Sequence, residues 1–298
     1  MARTRRGVVL AEQSTPSRTR RLVTRLVLLL FAAGLVFAGW VGVRGVVHNL
    51  GGPRCQATAL GTSVDFDPSQ TAYAATMVAI AEKRGLPARA GTIAIATALQ
   101  ESKLRNLTYG DRDSVGLFQQ RPSQGWGTEK QILDPVYATN KFYDALVKID
   151  GYEQMRITEI AQKVQRSAYP EAYADHEQEG RIMASALSGH SPGGLGCRLD
   201  QAGQGTPSAL RDALSKELGT KATVSGRTLT VRAGSERGAW TAGSYAVAKA
   251  SQYGVTKVRV GARQWTRTRD PEGWTWTRAK GGSATTVTVT FATTPAAR

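Results

Sequence analysis

Leu26 to Val43, LVLLLFAAGLVFAGWVGV, is an eighteen-residue run without a charge, bounded by Arg25 and Arg44. At helical rise it reaches about 27 Å, enough to cross a slightly thin bilayer. Residues 1–25 hold seven arginines against Glu12. By the positive-inside rule this basic N-terminus stays in the cytoplasm and everything after the run lies outside. A cleaved signal peptide is the rival, since its leading segment is also basic. Trp40, Val41 and Val43 crowd the exit and leave no small-x-small cleavage site. The expectation is therefore an uncleaved, single-pass anchor in the cell membrane.

Both cysteines, Cys55 and Cys197, fall on the outer side of that anchor. In an oxidising compartment such a pair reads as a disulfide. Metal binding would need more ligands, and His48, His176 and His190 show no ligand spacing. No metal or cofactor is expected.

Charge divides the rest of the chain. Residues 26–220 carry 19 basic and 19 acidic side chains, whereas residues 221–298 carry 13 basic against three acidic. The neutral middle reads as helical. Asp67-Pro68-Ser69 is a helix start, Thr71 to Arg84 has helical apolar spacing, and Gly85 stops it. The stretch TIAIATAL alternates like a strand, but its alanines favour a helix ending near Glu101. Residues 103–128 form a polar, glycine-rich loop. Asp134-Pro135 starts another helix, and Ile157 to Val164 and Glu171 to Leu187 add two more. From Thr223 onward, β-branched and polar residues alternate as in strands, with Trp240 to Tyr253 a helix between them. The expected organisation is 1–25 cytoplasmic, 26–43 transmembrane, 44–66 linker, 67–197 helical domain, 198–220 linker with a short helix, and 221–298 a small basic α+β domain.

The sequence from Ala98 to Pro122, ALQESKLRNLTYGDRDSVGLFQQRP, places Glu101-Ser102 eighteen positions before Gln119, within Gly116-Leu117-Phe118-Gln119. It resembles the core motif of the lysozyme-like soluble lytic transglycosylases: a Glu-Ser pair, a Gly-Leu-Met-Gln-type turn, then a Pro. Phe118 takes the usual Met place. The resemblance spans roughly residues 70–190. It implies a mainly α lysozyme-like domain, followed by the small α+β C-terminal domain and preceded by the transmembrane helix. It also implies Glu101 as the catalytic acid, with Ser102, Gly116 and Gln119 around the substrate, a peptidoglycan glycan strand.

Breaking a glycosidic bond requires a proton on the leaving oxygen, so one carboxylic acid must stay protonated near neutral pH. Apolar surroundings raise a carboxyl pKa by desolvating its charged form, and Ile93, Ile95, Leu99 and Leu104 flank Glu101 in sequence. Hydrolysis usually needs a second carboxylate. Asp111 and Asp113 are the nearest, though both read more simply as turn residues. The family manages with one carboxylate: the muramyl 6-hydroxyl attacks, a 1,6-anhydro ring forms, and no water is added. A lysozyme-type hydrolase is the second choice.

The family also carries an Ala-Tyr-Asn-type segment whose tyrosine meets the catalytic acid or substrate. Ala168-Tyr169-Pro170 is the nearest match, without the Asn. Tyr169 reads equally as a site residue or a core aromatic, and Tyr173 is a competitor. Trp126, in Gly125-Trp126-Gly127, is either a sugar-stacking platform or tucked over its loop. The arginines, lysines and Trp265, Trp274 and Trp276 of the C-terminal domain suit anionic wall polymers before nucleic acid, or else a solvated face over core tryptophans. The expected partners are glycan strands, the cytoplasmic membrane and such polymers. The alternatives are a non-catalytic wall-binding or assembly protein and a wall-opening component of a transfer machine.

Overall fold

A computed structural model describes residues 52–165 and 170–293. The expected anchor at 26–43 and Tyr169 lie outside the described residues. Among the described residues no helix is long and apolar enough to cross a membrane.

Helix α1 (Pro68–Lys83) begins where Gln70 Oε1 accepts the Asp67 amide at 2.8 Å. Pro68 sits in the first turn, where its missing N–H has no intrahelical use. Gly85, at φ +66°, ends the segment. Helix α2 (Ala88–Ser102) is buried on every side from Ala90 to Leu99, which explains why its sequence lacks a helical stripe. Small residues allow the close approach: a Cβ on Gly180 would stand 2.8 Å from the Thr92 carbonyl. Gly180 belongs to α6 (Glu177–Leu187), which packs along α2. Short α3 (Glu129–Ile132), α4 (Pro135–Leu146) and α5 (Ile157–Gln165) complete this part. Asp134 caps α4 through Oδ1, which accepts the Val136 amide at 2.8 Å.

Strands β1 (Arg54–Ala59), β2 (Thr62–Phe66) and β3 (Leu195–Arg198) form an antiparallel sheet in the order β2-β1-β3. Its register sets Cys55 opposite Cys197, and the two are disulfide-bonded. Closing a loop of this length stabilises by roughly 4–5 kcal/mol at most.

After α7 (Pro207–Ala213) and a π-helical turn at Leu214–Leu218, a six-stranded antiparallel sheet runs in the order β4-β5-β9-β6-β7-β8. Its strands are β4 (Ala222–Ser225), β5 (Thr228–Arg232), β6 (Val255–Val260), β7 (Arg263–Thr266), β8 (Thr277–Arg278) and β9 (Thr286–Phe291). Helix α8 (Glu236–Ala248) packs on one face, and short α9 (Ala250–Tyr253) follows it.

These sheets correct the expected fold class. The part before Cys197 is not simply helical, because residues 54–66, expected as linker, form a strand hairpin. Its segments, RCQATA and TSVDF, are short and mostly small or polar, so they lack the alternation of large β-branched side chains that announces a strand. The two parts also share one continuous hydrophobic core within a compact unit, Pro53–Arg298. Helix α8 packs on α1 as well as on its own sheet. Arg237 reaches both Glu82 carboxylate oxygens at 2.8 and 2.9 Å. Trp276 Nε1 donates to the Leu195 carbonyl at 2.8 Å. Trp265 and Trp276 are thus core residues, and Trp274 lies beneath the Arg198 guanidinium.

Candidate active site

Glu101 and Ser102 occupy the last turn of α2, which ends without a glycine. Lys103 and Leu104 both hold left-handed backbone, φ 54° and 55°. Their amides donate back to the Leu99 and Ala98 carbonyls, each at 3.0 Å, closing the helix end. A left-handed L-residue costs about 1–2 kcal/mol. Complete burial of Leu104 and a 2.7 Å bond from Gln70 Nε2 to the Lys103 carbonyl offset that strain. The chain therefore turns sharply just past Glu101, leaving it half-buried on a rigid end.

The second block forms a tight turn against that end. Val115 and Gln120 exchange backbone bonds at 3.0 and 3.1 Å. Gly116 has φ +81°, and a Cβ there would stand 3.0 Å from the Ile132 carbonyl, so the position requires glycine. Leu117 and Phe118 are buried, Phe118 stacking on Phe142 with ring centroids 4.5 Å apart. Gln119, left-handed at φ 47°, donates through Nε2 to the Gly116 carbonyl at 3.2 Å and to the Tyr109 carbonyl at 3.3 Å. Ser102 Oγ, buried, lies 2.7 Å from the Leu117 carbonyl and fastens the turn to α2. Ser102 thus holds the two motif blocks together, while Gln119 braces the second turn against the loop at Tyr109.

A third segment, the 3-10 turn Pro170–His176, brings Tyr173 to the acid: its hydroxyl donates to Glu101 Oε1. Tyr173 is itself buried. His176, on the same turn, is 3.1 Å from Lys103 Nζ through Nε2 and 2.8 Å from Glu179 through Nδ1. These contacts tie the tyrosine-bearing turn to the residues just after Glu101. In the sequence Tyr173 stands only as a competitor of Tyr169. A single tyrosine on a short turn gives no periodic signal to choose by.

Of the two loop carboxylates, Asp113 has structural partners. Asp113 accepts from Arg121 Nε at 2.7 Å, from the Ser123 amide at 2.8 Å and from Ser123 Oγ at 3.0 Å. Chiefly the Ser123 amide, then Arg121, hold its carboxyl well below the usual range. Asp111 lies on the surface. Trp126 is partly buried against the core, with its carbonyl accepting from Tyr137 Oη at 3.2 Å. The exposed aromatic of this loop is Tyr109, with 71% of its surface accessible. Among the described residues no cluster of His, Cys, Asp or Glu is placed to hold a metal ion.

No protein-family model matches the chain, and no curated protein matches it either.

Proposed function

We propose that the protein is a membrane-anchored peptidoglycan lytic transglycosylase that cleaves the MurNAc–GlcNAc β-1,4 bond and leaves a 1,6-anhydro end. The observation that carries this reading is the Tyr173 hydroxyl bonded to Glu101 beside the Gly116–Gln119 turn. A general acid needs a fixed direction, and a half-buried carboxyl on a helix end, held by a buried phenol, has one. Protonated Glu101 gives its proton to the glycosidic oxygen as the bond to the muramyl C1 breaks. The muramyl 6-hydroxyl then attacks C1, and the Glu101 carboxylate takes the proton that this oxygen releases. Glu101 ends protonated as it began, and no water is consumed.

Binding by Arg121 and Ser123 occupies Asp113, so of the two loop carboxylates hydrolysis would have to recruit surface Asp111 as its second carboxylate. Residues 26–43 hold the protein in the membrane with the site on the outer face, where its partners are glycan strands. The test is mass spectrometry of muropeptides released from purified peptidoglycan. Native protein should yield anhydro-muropeptides, and Glu101→Gln should yield none while keeping its melting temperature. Products with a reducing muramyl end would assign a hydrolase. Absence of any cleavage by folded native protein would leave a wall-binding protein.

A further inference from the structure

The six-stranded sheet has an outer face opposite α8. Burial alternates strictly along β5 and β9: Leu229, Val231, Val287, Val289 and Phe291 point into the core, and the residues between them do not. Strand pairing joins these outward positions into two rows across the sheet. One runs Thr223, Thr230, Thr288, Arg259, Gln264, Thr277; the other runs Ser225, Thr228, Thr290, Lys257, Thr266. The face is therefore ranked with hydroxyls, and no aromatic ring stands in either row.

Its charge has one sign. The outward strand positions carry Arg232, Lys257 and Arg259, and the six strands contain not one Asp or Glu. The second row ends in a basin of about 670 Å³, lined by four cations, Arg227, Lys257, Arg267 and Arg269, and two carboxylates. Both carboxylates are engaged: Asp200 by Arg269 at 2.7 Å, and Asp270 by Thr268 Oγ1 at 2.8 Å. Arg267 Nη1 donates to the Ala250 and Val255 carbonyls, each at 3.0 Å, which fixes a positive charge in the wall without neutralising it. Arg227 and Lys257 are exposed at the mouth.

We propose that this face and basin bind a polyol-phosphate polymer, with a phosphate in the basin and the chain laid along the hydroxyl rows. Regularly spaced phosphates complement the cations, and the polyol units between them can exchange hydrogen bonds with threonine hydroxyls. Single-stranded nucleic acid is disfavoured because its binding surfaces stack bases on aromatic rings, which these rows lack. The proposal stands apart from the chemistry at Glu101, and its test reads binding alone.

The experiment measures affinity of the full chain, in detergent micelles, for a synthetic poly(glycerol phosphate). Duplex DNA of equal phosphate number and poly-glutamate are the comparison polymers. Arg227→Gln combined with Lys257→Gln should weaken poly(glycerol phosphate) binding about 10-fold at low salt, and the difference should shrink as salt screens exposed charge. Arg227→Lys with Lys257→Arg should keep most of the affinity. Lys130→Gln with Lys148→Gln, exposed changes on the helical part, should leave it unaltered. Unchanged binding by the first pair would overturn the proposal. So would equal affinity for DNA or poly-glutamate with the same sensitivity to that pair, since the face would then be a general cationic surface.

Discussion

Tyr173 and Glu101, 72 residues apart in sequence, meet where the hydroxyl of one donates to the carboxyl of the other. The phenol removes one rotational choice from the acid. If that bond orients Glu101 for proton transfer, Tyr173→Phe should lower kcat about 10- to 100-fold while the protein stays folded. Steady-state release of anhydro-muropeptides measures it. Full turnover by the Phe variant would show that the carboxyl is oriented by other groups.

Trp126 and Tyr109 should separate by phenotype. Trp126 packs on the core, so Trp126→Ala should cost about 2 kcal/mol of stability and lower the melting temperature. Tyr109 is exposed beside Gln119, so Tyr109→Ala should leave melting unchanged and weaken glycan-oligomer binding about 3- to 10-fold. Titration of both variants in the Glu101→Gln background, where no cleavage intervenes, gives the comparison.

The acid limb of stability should carry a signature of Asp113. Its folded pKa is depressed below the unfolded value of about 3.9, so its stabilisation is fully present above that value. That contribution is lost as pH falls toward the folded pKa. Asp113→Asn should therefore melt lower than native protein at pH 6, with the gap closing between about pH 4 and pH 2. Thermal melts of both proteins across that range decide it, and a gap independent of pH would refute the assignment.

Lys249 and Glu217 lie buried between the helical part and the sheet. Thr76 Oγ1 is 2.7 Å from Glu217 Oε2 and 2.8 Å from Lys249 Nζ, and the two charges are 3.6 Å apart. Burial pulls the Lys249 ammonium below the ordinary lysine range, partly offset by Glu217. Glu217→Ala strands that cation and should cost about 3–5 kcal/mol, whereas Glu217→Leu with Lys249→Met should recover much of the loss. Chemical denaturation provides the numbers. A single transition in native protein would also show that the two parts unfold together.

Local chemistry was legible in the sequence. Asp67-Pro68 and Asp134-Pro135 start helices because capping is settled within one turn. Gly116 marks a left-handed turn because only glycine tolerates both that φ and the nearby Ile132 carbonyl. The pairing of Cys55 with Cys197 followed from having two thiols on one side of the expected anchor, and the structure joins them. The spacing of Glu101 to Gln119 singled out two blocks, which the structure brings together through Ser102 and the Leu117 carbonyl.

Everything that depends on distant partners needed the tertiary structure. The hairpin at Arg54–Phe66 depends on pairing with Leu195–Arg198, and its small side chains carry no strand signal of their own. Tyr173 reaches Glu101 only because the turn before α6 folds across the end of α2. The sequence leaves Trp265 and Trp276 open between a polymer-binding face and the core, and the structure buries both, Trp276 against β3 and α8 and Trp265 against the turn at Gly273. A sequence records which side chains can bury surface or bear charge. Which of them actually meet is settled by long-range packing, and that fixes the partners of Glu101 and leaves the threonine face of the sheet open.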